Sequence, residues 1–153
     1  MTKFKNFYET TKHKLWVFYY ILKMCFVLLK RAFVHDLSKY SKYEEPYFRK
    51  YVSRLKNCKY GTGQYQSLLS AIKPALDHHY SKNSHHPEHH KNGIDDMSYF
   101  DILEMLVDWQ AAGKRHKGGN LKKSIELNSK RFGYNELMKQ RLLKTAQELK
   151  ILD

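Results

Sequence analysis

The sequence predicts an all-α protein, and three observations predict it. Glycine and proline are scarce, 7 and 3 in 153 residues. Apolar residues recur at helical spacing through most of the chain. Small polar residues and glycines fall between the periodic stretches, where helices start and stop. The length fits one domain over residues 1–153, a helical bundle with about six helices. A domain of this size buries about 68–70% of the surface its unfolded chain exposes, so it needs no disulfide staples. Cys25 sits in an apolar run and Cys58 in a basic one, neither with a CxxC partner. That usage fits a reducing, cytoplasmic setting.

The first helix is expected over about residues 12–33. Leu15 to Leu29 is almost wholly apolar, broken by Lys23. A membrane span needs ~20 apolar residues, and this run is shorter. On a helical wheel Lys12, Tyr19, Lys23 and Lys30 form one narrow polar stripe, a pattern that predicts a core helix with one wet edge. His13 lies away from that stripe and is expected to point inward. No small-residue cleavage pattern of a signal peptide follows the run.

A second helix is expected over residues 44–58, with Pro46 tolerated in its first turn and Tyr47, Phe48, Tyr51, Val52 and Leu55 on one face. Arg49, Lys50, Arg54 and Lys56 lie off that face. Tyr60-Gly61-Thr62-Gly63 reads as a turn, and residues 64–80 as a third helix, with a possible kink at Pro74. Residues 81–96 are polar, with Pro87 and Gly93, and read as a loop or a short irregular helix. Ser98 can cap a helix from residue 99 to about 115. Gly118-Gly119 separates it from a short helix at 120–130, and Gly133 separates that from a last helix at 134–151. No internal repeat, linker or second domain is visible.

The net charge is +13, from 28 Lys+Arg against 15 Asp+Glu. Such a balance favours anionic partners, nucleotides or nucleic acid among them, or it is a solvated lysine-rich surface. The histidines are more telling: six of the nine fall between His78 and His90. No Cys₂His₂ spacing and no HExxH is present, which argues against a zinc finger and a zinc protease.

Three clusters can do chemistry. His35-Asp36 puts an imidazole beside a carboxylate, a pair that can ligate one metal or bridge two with the Asp. His78-His79, His85-His86 and His89-His90 form a histidine-rich stretch. Asp101, Glu104 and Asp108 fall within about 60° of one another on a helix of 3.6 residues per turn, with Arg115 on the same stripe. A column of three acids needs a compensating cation, either a metal or nearby basic side chains.

The order His13, His35-Asp36, a histidine-rich loop and Asp108 resembles the HD-domain phosphohydrolases, whose pattern is a His, an adjacent His-Asp, further histidines and a late Asp. His35-Asp36-Leu37-Ser38-Lys39 looks like the HDxGK stretch of the cyclic-dinucleotide phosphodiesterase branch. His78-His79 looks like that branch's paired histidines, and residues 106–112 like its late VADxxDA stretch. The chain is closer still to a small uncharacterised family from phages and bacteria. Its motifs match His13-Lys14 with Val17, His35 to Lys39, His78 to His86, and Glu104-Met105 to Asp108-Trp109 with Ala111. The match covers roughly residues 8–116. The GYP triplet of the phosphodiesterase branch is absent, and no histidine lies between Asp36 and His78, so the substrate and the number of metals stay open.

The resemblance implies an HD-type bundle and a metal-dependent phosphohydrolase acting on a phosphomonoester or phosphodiester, with a nucleotide as substrate and a metal-bound hydroxide as nucleophile. It implies His13, His35, Asp36, His79, His86 and Asp108 as metal ligands, with His78, His85 and Glu104 as neighbours or substitutes. His89, His90 and His116 are peripheral. Mixed imidazole and carboxylate ligation suits Mn, Fe, Zn or Ni, as one or two ions. Asp36 is the catalytic candidate with Lys39, which is placed to hold a phosphate oxygen, as are Lys82 and Arg115. A bacterial host cytoplasm follows if the chain is phage-encoded. The competing readings are a basic nucleic-acid- or protein-binding module with a vestigial site, and a metal with a structural role only.

Overall fold

The computed structural model describes residues 2–58, 62–115 and 119–152. Part of the expected turn (Tyr60, Gly61), His116 and Gly118 lie outside the described residues, as does the Lys56 side chain. Among the described residues there are six α-helices, three short 3₁₀ turns and no strand. By its contacts the chain divides into two compact units, Met1–His35 and Asp36–Asp153.

The N-terminal unit is one unbroken helix, α1 (Lys3–Val34), capped by Thr2, whose hydroxyl accepts from the Lys5 N–H at 3.4 Å. It starts nine residues earlier than the apolar run suggests, because nothing between Lys3 and Lys12 opposes helix. None of its residues is buried. Taken by itself this unit is a single helix, so nothing within it covers the apolar faces or the His13 ring that the sequence places inward. A lone helix has no second layer to cover its apolar circumference. Among the described residues no helix is long and apolar enough to cross a membrane.

The second unit begins at Asp36, which sits in the left-handed region at φ 56°, and continues into a 3₁₀ turn, Leu37–Tyr40. α2 (Glu45–Asn57) follows with Pro46 in its first turn and packs on α3 (Gly63–Lys82). Thr62 caps α3 by accepting from the Tyr65 N–H at 3.3 Å. Pro74 lies inside α3, which runs through it. The expected loop holds two 3₁₀ turns, Pro87–His89 and Gly93–Asp96. α4 (Tyr99–Lys114) starts at Ser98, α5 (Leu121–Phe132) at Asn120 and α6 (Glu136–Glu148) at Asn135, each with a side-chain cap. Gly133 ends α5 at φ 70°, the conformation a left-handed C-cap requires.

The main core joins α4, α5 and α6 around Met105, Leu106, Leu121, Ile125, Leu142 and Ala146, all 2% exposed or less. Ile94 and Met97 bring the preceding turn into it. Tyr134 closes one side, its hydroxyl donating to the Ile125 carbonyl at 2.6 Å. α3 contributes a smaller buried patch at Ile72 and Ala75, and this patch and the main core hold the histidine loop from either side in sequence.

Candidate metal centre

The site is built from the start of the second unit, the end of α3, the loop after it and one face of α4. Asp36, His79, His85 and His86 bring one ligand atom each to within 4.8 Å of one another. Asp36 Oδ1 lies 3.2 Å from His79 Nε2 and 3.5 Å from His85 Nε2. His79 Nε2 and His86 Nε2 are 2.9 Å apart. A carboxylate oxygen of Asp108 also lies within 4.8 Å of one of Asp36.

Two carboxylates outside this cluster fix which ring nitrogen faces inward. Glu44 is fully buried and accepts from His79 Nδ1 at 2.8 Å and from His78 Nδ1 at 2.7 Å. Glu104 lies 3.1 Å from His85 Nδ1. With Nδ1–H held by a carboxylate, Nε2 of a neutral imidazole carries the lone pair. In that form His79 and His85 turn Nε2 lone pairs toward the point where Asp36 Oδ1 lies. Burial above all, and then the neighbouring His85 and His79, push the His86 pKa down to about 3. Neutral imidazoles and a carboxylate converging on one point are a donor set for a divalent cation.

Backbone and packing hold these groups in place. The left-handed conformation at Asp36, uncommon outside glycine and best tolerated by Asp and Asn, turns the chain from His35 into the 3₁₀ turn. That turn brings Lys39 Nζ to 2.5 Å from Asp36 Oδ2, leaving Oδ1 toward the rings. Asn83, at the end of α3, donates to the His79 carbonyl and to Ser38 Oγ, each at 2.7 Å. Phe48 of α2 stands edge-on to His79 and Tyr43 stacks on His78.

The histidine-rich stretch divides by role. His79, His85 and His86 enter the cluster. His78 is turned to Glu44 and lies beside the cluster, not in it. His89 and His90 pin the loop, donating to the carbonyls of Tyr80 at 2.7 Å and Ser84 at 2.8 Å. The acidic column of α4 divides too. Glu104 and Asp108 face the histidines. Asp101 instead closes a capping box with Ser98 and accepts from Ser84 Oγ. Asp101→Ala should therefore cost about 1–3 kcal/mol of stability, for a lost cap and a buried hydroxyl left without its acceptor. Chemical denaturation checks the loss. Bound metal should stay at the wild-type level, and a fall in it would return Asp101 to the site.

The structure does not bring every expected ligand together. His13 lies on α1 and His35 is the C-cap residue just past its end, twenty-two residues on, a rise of about 33 Å at 1.5 Å per residue. One ion cannot reach both within a chain. His35 is the last residue of the N-terminal unit and is joined directly to Asp36. Lys82 is exposed at the end of α3, and Arg115 is exposed as the C-cap of α4, two turns beyond Asp108. Sequence reasoning missed Glu44. The only signal for it is that two adjacent histidines need acceptors for their Nδ1–H groups.

Residues 2–152 match the family of unknown function DUF5662, and the chain belongs to that family. No curated protein and no solved structure matches it.

Proposed function

We propose that this protein is a metal-dependent phosphohydrolase that cleaves a phosphomonoester or phosphodiester, with a nucleotide as substrate. The observation that carries the reading is the pair of carboxylate-anchored imidazoles, Glu44–His79 and Glu104–His85, aimed with His86 at Asp36. Buried carboxylates that orient ring nitrogens toward a shared point are the usual outer support of a metal site. Asp36, His79, His85 and His86 hold the ion in this reading, with Asp108 beside Asp36 and His35 as the further ligand that the family resemblance implies. The donor set suits Mn, Fe, Zn or Ni. A divalent ion there supplies positive charge to a phosphoryl oxygen and lowers the pKa of water toward neutrality.

The chain's own residues do the rest. Lys39 keeps Asp36 oriented through one N–H and has two more donors for a phosphate oxygen. Lys82 and Arg115 add exposed positive charge for a phosphorylated substrate, within a chain of net charge +13. Phe48 and Tyr43 pack their rings against His79 and His78 on the α2 side.

The test begins with elemental analysis of untagged protein purified without chelator, wild type beside His79→Ala. The reading expects near-stoichiometric transition metal in the wild type and its loss in the variant. Hydrolysis of nucleotide mono- and diesters that depends on the same residue should follow. Protein that holds no metal, and takes up none from Mn²⁺, Fe²⁺ or Zn²⁺, would rule the reading out. It would leave the basic nucleic-acid-binding module, recognised by steep salt dependence of binding.

A further inference from the structure

The third imidazole of the cluster is held differently from the other two. Glu44 and Glu104 stand on the Nδ1 sides of His79 and His85. Among the described residues no carboxylate takes His86 Nδ1, while its Nε2 faces His79 Nε2. Two other supports hold His86. Its ring lies against the Tyr80 ring, with centroids 5.1 Å apart. Its backbone opens the 3₁₀ turn Pro87–His89 as the N-cap.

Both supports lead to one side chain. Arg131, in the last turn of α5, donates from Nη2 to Glu88 of that 3₁₀ turn at 2.6 Å, across forty-three residues of sequence. The same guanidinium and Glu88 both act on the Tyr80 phenol: burial and then Glu88 push its pKa up, and Arg131 draws it back. His89 ties the turn to α3 by donating to the Tyr80 carbonyl. Arg131 is itself placed. Its guanidinium carbon lies 4.8 Å from the centre of the Phe132 ring, and Phe132 lies parallel to Trp109 of α4. Trp109 is the residue after Asp108. The last turn of α5 therefore touches both the histidine loop and the helix that carries Asp108.

We propose that Arg131 is a positioning residue for the metal centre: through Glu88 and Tyr80 it sets His86 against Asp36, His79 and His85. It does for the third ring what Glu44 and Glu104 do for the first two. The inference rests on the metal-centre reading above. A planar guanidinium suits the task, since its fork can serve a carboxylate and a neighbouring group at once. Its ion pair with Glu88 is 59% exposed on the arginine side, so it adds little to the stability of the fold. The sign of its effect on metal binding separates position from charge. Removing a cation near a divalent ion relieves repulsion and tightens binding. Losing the position of a ligand weakens it, by about 10-fold at the lower end of what such supports contribute.

Titration of the metal-free full chain with Zn²⁺ tests the inference. Arg131→Met keeps the stem over Phe132 and removes the donors. It should bind Zn²⁺ about 10-fold more weakly than wild type, while its unfolding midpoint barely moves. The loss should vanish when His86 is already alanine, because the arginine acts through that ring. The charge swap Glu88→Arg/Arg131→Glu should recover most of what either single variant loses. Wild-type or tighter affinity in Arg131→Met overturns the inference. So does a loss that persists undiminished in the His86→Ala background, which would mean an effect on the fold at large. Wild-type protein that takes up no metal overturns the metal-centre reading and this inference with it, so the wild-type titration tells the two failures apart.

Discussion

Asp36→Asn should abolish metal-dependent hydrolysis while leaving the fold intact. Asp36 holds φ 56°, a conformation that costs most L-residues roughly 1–2 kcal/mol but that asparagine visits readily. The substitution keeps the side-chain shape, removes the charge and turns one acceptor oxygen into an NH₂ donor. The charge is what matters, because Oδ1 is the single carboxylate oxygen lying 3.2 Å and 3.5 Å from two imidazole Nε2 atoms. Losing a group that orients a ligand typically costs 10–100-fold in metal affinity. Losing a ligand should cost at least about 100-fold on the same scale. Calorimetric titration with Mn²⁺ or Zn²⁺ measures the first effect, and thermal unfolding of metal-free protein checks the second, with an expected change near zero. Asp36→Ala differs instructively: it loses the metal and also strains the backbone, so its metal-free protein should melt lower than that of Asp36→Asn. Wild-type metal affinity in Asp36→Asn would remove Asp36 from the site and the phosphohydrolase reading with it.

Much of this was legible in the sequence, for reasons that can be traced to residues. The all-α class follows from periodicity and from stops that the backbone itself enforces, such as Gly133 in its left-handed C-cap and Ser98 at the head of α4. Asp36, His79, His86 and Asp108 stood out because adjacent histidines and carboxylates are rare without a use. Four things were not legible. What covers α1 was not, since an apolar circumference fits a core helix and an interface helix equally well. The division of labour among Asp101, Glu104 and Asp108 was not, since the wheel places all three on one stripe and only the geometry of the helix start diverts Asp101 into a capping box. His13 was expected with His35 because order along a chain carries no distance. An unbroken α1 then separates them.

Glu44 was the fourth and most consequential gap, and Glu44→Ala should have the largest combined effect on stability and metal affinity. The carboxylate is 0% exposed, and its two oxygens take one Nδ1–H each from His78 and His79, thirty-four and thirty-five residues away. No periodicity or motif connects positions so far apart; only the packing of α2 on α3 does. Removing one partner of a buried, charge-assisted pair costs about 3–5 kcal/mol, because the remaining polar groups stay buried without an acceptor. Metal affinity should fall by a further 10–100-fold, since His79 loses what fixes its Nε2 toward Asp36. Glu44→Gln separates the two effects. The amide keeps the volume and one acceptor, but its NH₂ cannot accept from an Nδ1–H. One ring must then change tautomer or turn, so metal affinity should drop nearly as far as in Glu44→Ala with a much smaller loss of stability. Denaturant unfolding of metal-free protein and metal titration of each variant read the two quantities independently. A Glu44→Gln protein with wild-type metal affinity would reduce Glu44 to a packing role and leave the orientation of His79 to Ser38 and Asn83, whose side chains stand 3.0 Å and 3.1 Å from the same Nδ1.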